Sequence, residues 1–367
     1  MFAFALLHLP HGGFLAAILA TLGMLAASVQ IVDRIAGDPI NVAFVANGSP
    51  VQRLDKGYQN IAFIDFRLTG TLTLASYTTA PTKLVESIEN LIAQLLIQAT
   101  GKGGSAGIGT LKAIDFAYGA VMTKFMENTA PVRVDVGTTN AAFNFETNVR
   151  VYFSLPPKGR PIGSLTPQEL FQTLLLDARF LSNFTATFQF RDQTALVTGG
   201  VAGAATLSNV QVTTQVREIT GLPPVQRPFV RETQQLFDVT VSQLEKTYKD
   251  IPVGNRIRRI TFKGTVGANS FSDPSDAPFN NTTRAEGPRL RLKENNAFNI
   301  MDLNYFQQRN ANKMKFNLET MPTGYVVWEP ASGRDTRGVE RLDLVADVNF
   351  TGSNTNEIQA TTQEVVG

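Results

Sequence analysis

The sequence predicts an all-β chain with a few helices: two β-sandwiches in tandem behind an apolar N-terminal helix. Three observations carry that expectation. Runs of alternating apolar and polar residues recur through both halves, a proline-rich stretch separates them, and residues 1–32 hold no charged side chain. Length agrees, since 367 residues at roughly 100–200 per domain suggest two cores.

The N-terminal segment comes first. Residues 13–32 as a helix would span roughly 30 Å, the thickness of a bilayer core. Phe14, Ile18, Leu22, Leu25, Val29 and Val32 recur on one face and are the candidate membrane-proximal residues. Ala16, Ala20, Gly23 and Ala27 make a second face of small residues, which lets helices approach closely. Three readings stand open: a signal peptide cleaved near Ala26-Ala27-Ser28, a buried helix of a soluble assembly, and a helix in or on a membrane.

Beyond Pro39 the period becomes two. Ile64, Phe66, Leu68, Leu72 and Leu74 alternate with Asp65, Arg67, Thr69, Thr71 and Thr73, as in a half-buried antiparallel strand. The pattern returns at Phe143, Phe145, Val149, Val151 and Phe153, then at Phe184, Ala186, Phe188 and Phe190, and at Val210, Val212 and Val216. In the second half it marks Phe237, Val239 and Val241, then Leu290 and Leu292, and finally Leu342, Leu344, Ala346, Val348 and Phe350 as the last clean strand. Tyr325, Val326, Val327 and Trp328 form a short apolar run, and the lone Trp328 reads as core packing or, less simply, a sugar-stacking platform.

Helices interrupt the strands. Thr166-Pro167-Gln168-Glu169 has the form of a capping box. Residues 82–100 fit a helix through Leu84, Ile88, Leu91 and Leu95, yet residues 91–98 fit a buried strand equally well. Leu111, Ile114, Tyr118, Val121 and Phe125 predict a helix over residues 111–127. Pro223, Pro224 and Pro228 stiffen a linker. The resulting division is 1–38 for the apolar segment, 39–221 and 222–352 for two sandwiches, and 353–367 for a polar tail that extends over a neighbour or stays mobile.

Composition excludes several functions. With Lys+Arg 33 and Asp+Glu 31 the net charge is +2, too small over this length for nucleic-acid binding by bulk charge. The absence of cysteine removes disulfides, thiolate nucleophiles and thiolate metal sites. His8 and His11 are the only histidines, so a catalytic triad or a two-histidine zinc site would have to be built from the apolar segment. No catalytic, cofactor or metal residue is nominated. Charged residues are 17%, against about 25% in ordinary chains, which implies surface hidden against other chains or lipid.

Weaker motifs have ordinary explanations. Gly101-Lys102-Gly103-Gly104 lacks the order of a phosphate loop. Arg256, Arg258, Arg259 and Lys263 form a basic cluster, read as a solvated face or an intersubunit ion-pair site before any nucleic-acid contact. Asn47, Asn183, Asn281 and Asn349 head acceptor triplets for glycosylation that arise by chance in an Asn- and Thr-rich chain.

Three segments of the second half carry a resemblance. They are Ile251-Pro252-Val253-Gly254-Asn255 after a strand-rich run, the stretch from Asp302 to Ala311 (DLNYFQQRNA), and the stretch from Met321 to Trp328 (MPTGYVVW). Together they resemble the double jelly-roll major capsid proteins of the tectivirus and adenovirus lineage, especially of bacteriophages with an internal membrane. The resemblance implies two jelly rolls in tandem, homotrimers with a nearly hexagonal footprint, and an icosahedral virion shell over a lipid membrane. It implies assembly in the host cytoplasm, partners limited to copies of the chain, minor capsid or vertex proteins and the inner membrane, and no enzymatic activity or sequence-specific nucleic acid. Two alternatives stand beside it: a secreted or cell-surface β-sandwich that binds carbohydrate, and a carboxylate-dependent glycoside hydrolase for which the sequence offers no acidic pair.

Overall fold

The structure is a computed structural model that describes residues 30–35, 40–41, 48–54, 57–102, 109–127, 132–154, 166, 169, 174–224, 226–268, 271–352 and 355–367. Its first half is a sandwich. One layer is a seven-stranded sheet in the order β1 (Gln30–Ile35), β13 (Ala204–Thr220), β4 (Asn60–Ala75), β9 (Ala142–Tyr152) and β8 (Arg133–Val134). The short strands β2 (Ile40–Asn41) and β10 (Leu176–Asp177) add to β13 and β4. The facing layer is formed by β7 (Gly109–Ile114), β6 (Ile92–Gly101), β11 (Leu181–Phe190) and β3 (Val51–Arg53). Period-two alternation in β4 buries Ile64, Phe66, Leu68, Leu72 and Leu74 between the layers. The Phe66 ring meets Phe188 of β11 edge-on at 5.4 Å between centroids, across the sandwich interior. A separate two-stranded pair is formed by β5 (Thr82–Lys83) with β12 (Val197–Thr198).

The second half repeats the plan. One layer is four-stranded, in the order β15 (Gln243–Ile251), β22 (Leu342–Val348), β18 (Arg289–Glu294) and β19 (Phe298–Asn304). The other layer runs β17 (Phe271–Pro274), β16 (Arg256–Ala268), β23 (Thr355–Val366) and β14 (Phe229–Val239), with β20 (Tyr325–Trp328) and β21 (Arg334–Asp335) also paired to β16. Ile260, Phe262, Ile358 and Ala360 pack in one core with Leu290, Leu292, Leu344 and Ala346 of the four-stranded layer. Trp328 packs against that core, as its apolar surroundings predict.

The two halves share a sheet. β14 pairs with β7 in parallel, Glu232 opposite Lys112 and Thr233 opposite Ala113, and joins the inner layers into ten strands. The register makes the two cores use opposite faces of that sheet. Ile97 stands opposite Lys112, Lys112 opposite Glu232, Glu232 opposite Gln363 and Gln363 opposite Arg259. The face that carries Ile97 into the first core therefore carries charged and amide groups in the second half, whose own core lies on the Phe262 side. The helix Phe116–Glu127 lies against that polar face, with Met122 and Met126 near Arg259 and Phe125 stacked on Phe316 at 5.0 Å.

Several expectations are corrected. Val32 lies in strand β1, whose Gln30–Ile35 backbone pairs with β13, not on a helix; edge pairing outweighs the helical spacing. Phe14, Ile18, Leu22, Leu25 and Val29 lie outside the described residues, among which no helix is long and apolar enough to cross a membrane. Leu111 and Ile114 belong to β7, and the helix begins only after Asp115, whose side chain accepts from the Tyr118 N–H as an N-cap. Residues 82–100 resolve into a four-residue helix, Ser87–Asn90, followed by strand β6. The polar tail is strand β23, held between β14 and β16 with Thr361, Thr362, Gln363 and Glu364 buried. The stretch after β16 contains β17 and a short turn of helix at Ala277–Phe279. Where the capping box is described it is present: Glu169 N–H donates to Thr166 Oγ1 at 3.3 Å, and Thr166 N–H to Glu169 Oε2 at 2.7 Å.

Candidate functional site

The polar face under the helix Phe116–Glu127 forms a seam between the halves. Side chains from six stretches of sequence meet there, and each buried charge has a partner. Lys112, fully buried, donates from Nζ to the Tyr152 carbonyl at 2.6 Å and to Glu232 Oε2 at 2.9 Å. Tyr118 OH and Gln363 Nε2 donate to the other Glu232 oxygen at 3.0 and 2.9 Å. Burial alone would raise the Glu232 carboxyl; the Lys112 charge and these three donors outweigh it and hold the group below its ordinary value. Burial lowers Lys112 from the ordinary lysine value, and Glu232 opposes that shift. Burial and the adjacent Glu232 charge push the Tyr118 phenol well up, which keeps it a donor.

A second cluster lies along the same face. Lys263 Nζ reaches Glu86 Oε2 at 2.6 Å and Asp115 Oδ2 at 3.4 Å, while Tyr325 OH donates to Glu86 Oε1 at 2.8 Å. Burial acts to lower Lys263, but Asp115 and Glu86 prevail and raise it. Burial raises Glu86, with Asp115 adding to the effect and Lys263 opposing it. Farther along, Arg259 lies 3.3 Å from Glu329 and against the sulfurs of Met122 and Met126. The basic cluster seen in the sequence is thus largely paired within the chain. Arg259 and Lys263 are buried in the seam rather than on the expected solvated face, whereas Arg256 is exposed and Arg258, half-buried, stands 3.9 Å from Glu329. Arg291 likewise meets Glu245 at 2.8 Å. Asn281, one of the four acceptor-triplet residues, is buried and donates to the Val348 carbonyl.

Beyond the N-terminal end of the helix the seam opens into a cavity of about 300 Å³, lined by residues of both halves. Asp115, Lys263 and Gln234 stand on its wall, with Glu357, Gln359 and Thr265 from β23 and β16. No sequence signal marked Lys112, Glu232 or this cavity, because each feature joins residues more than a hundred positions apart. Among the described residues no group of three His, Asp or Glu side chains is arranged to hold a metal ion.

No known protein family matches the sequence, and no curated protein does. Solved structures match along most of the chain. The STIV MCP, at 10% identity, has a TM-score of 0.66 and is covered over 97% of its length by 92% of this chain. The major capsid protein P2 of bacteriophage PM2 has a TM-score of 0.54 at 12% identity, covering 92% of this chain and 98% of that one. The PBCV-1 virus capsid gives 0.54 at 7% identity, over 92% and 93%. At these identities the likeness is one of fold. That fold is the double jelly roll of viral major capsid proteins, and each sandwich described above is one of its rolls.

Proposed function

We propose that this chain is a major capsid protein whose homotrimers, with a pseudo-hexagonal outline, tile an icosahedral virion shell. The observation that carries the reading is the end-to-end match: two rolls fused through one sheet, over 92% of this chain and 97% of the STIV MCP. A fused pair presents two similar wedges, so three chains supply six around a threefold axis. The sparse charge of the sequence suits a surface largely covered by neighbours. Exposed apolar side chains at strand ends, among them Val85, Val132 and Val134 beside edge strand β8, supply contact area between copies.

On this reading the chain assembles in a host cytoplasm and works as a structural component of the virion without catalysis. Its further partners are minor capsid or vertex proteins. Phe14, Ile18, Leu22, Leu25 and Val29 contact an inner membrane, and the strand carrying Val32 ties that segment to the first roll. Light scattering of the purified protein tests the oligomer: the expected mass is three times the 40.0 kDa chain, and a stable monomer would count against the proposal. Intact-mass measurement separates it from the secreted carbohydrate-binding alternative, which requires cleavage near Ser28. Flotation with vesicles of zwitterionic lipid, lost on deletion of residues 1–29, tests the membrane contact; flotation of both forms or of neither contradicts it.

A further inference from the structure

The seam cavity is more acidic than basic. Asp115 and Glu357 line it, Glu86 lies behind Lys263, and Asp238 stands opposite Glu357 in register, whereas the neighbouring cations are Lys263 and Arg191. Lys263 is already shared between Glu86 and Asp115. Burial raises the Glu357 carboxyl, Asp238 raises it further, and Arg191 and Lys263 only partly oppose them.

Polar atoms there also lack partners. Thr265 is 1% exposed, and its Oγ1 has no hydrogen-bond partner among the described residues; Gln359 Oε1 has none either. Thr265 stands opposite Glu357 in register, and Gln359 lies two residues along the same face of β23. Glu357, Gln359 and Thr265 thus stand on one face of the sheet, along the wall of the cavity. Leu236, opposite Gln359 and 59% exposed, adds an apolar surface with Ala117. A buried orphan oxygen costs about 1–3 kcal/mol, so a donor that satisfies several is favoured.

We propose that this cavity binds a primary aliphatic ammonium group, as carried by an alkyl diamine. An ammonium has three donors and no acceptor, matching Glu357, Gln359 and Thr265, while its methylenes lie along Leu236 and Ala117. The volume falls at the lower edge of the roughly 300–1,000 Å³ range of small-ligand sites. The proposal is independent of the coat role, since a chain that takes up amine yet builds no shell would keep one and lose the other.

Calorimetric titration of the full chain with 1,4-diaminobutane, carried to about 10 mM, tests it. The expected result is saturable binding, one amine per chain, weakened about tenfold or more in Glu357→Gln and absent for the isosteric neutral 1,4-butanediol. Leu236→Ala, at an exposed position, should weaken diaminobutane and leave methylamine unchanged; this arm holds even if Glu357→Gln fails to fold. Sedimentation of the protein with and without diamine identifies the natural source: dissociation of oligomers points to a lysine of an adjoining copy, unchanged sedimentation to a free amine. Absence of saturable binding, equal binding of the butanediol, or wild-type affinity in a folded Glu357→Gln would overturn the proposal.

Discussion

Replacing Lys112 by methionine removes the cation from the seam and leaves Glu232 buried, with Tyr118 and Gln363 as its remaining donors. The Tyr152 carbonyl, which accepts from Lys112 at 2.6 Å, loses that donor at the same time. Breaking a buried pair from one side costs about 3–5 kcal/mol, most of it the uncompensated charge. With a urea dependence of about 3 kcal/mol per M, the midpoint should fall by about 1–1.7 M. Urea titrations followed by fluorescence, at one fixed protein concentration because association shifts apparent stability, give the measurement. The double variant Lys112→Met with Glu232→Gln should recover at least about 1.5 kcal/mol of the summed losses, since the amide that replaces the carboxylate would still accept from Tyr118 and Gln363 without a buried charge. Acid should act on the same pair. The folded Glu232 carboxyl lies below its unfolded value near 4.5, so its contribution is complete above that pH and is lost as pH falls through the lowered folded value. A loss under about 1 kcal/mol for Lys112→Met, or strictly additive losses in the double variant, would refute the view that the seam depends on this pair.

Other consequences follow from the packing. Deleting residues 353–367 removes β23 from between β14 and β16 and exposes two long strand edges; the truncated chain should be recovered as aggregate, and a soluble folded product would contradict the assignment. Phe125→Ala removes a ring stacked on Phe316 across the halves and should cost about 3–5 kcal/mol in the same urea assay. Gly264→Ala would place a methyl group 2.5 Å from the Ser275 carbonyl oxygen and 2.8 Å from the Phe279 ring, so thermal melting should show a loss of about 2 kcal/mol or more.

What the sequence disclosed depended on how each strand is buried. β4 was legible because one of its faces is wet, and Thr69, Thr71 and Thr73 break the apolar run at every second position. β23 was not, because its buried Gln363 and Glu364 are satisfied by residues far away in sequence: Gln363 by Glu232, and Glu364 by Arg231 and Asn255. Composition made it look like a solvated tail. The helix over residues 116–127 was foreseen one element too long, since Leu111 and Ile114 continue its spacing by chance while their backbones join β6. Nothing local distinguishes Lys112 from a surface lysine on a strand. Its role comes from the parallel pairing of β7 with β14, a contact 120 residues apart. The same limit hid the cavity, whose orphan oxygens are defined only once β16, β23 and the helix start are brought together.

The coat assignment is tested most directly by electron cryomicroscopy of the purified protein. Trimers of pseudo-hexagonal outline are expected, with six roll-shaped densities around a threefold axis, either isolated or tiled into closed shells. Particles holding only two rolls, with no threefold relation between them at any concentration, would contradict it.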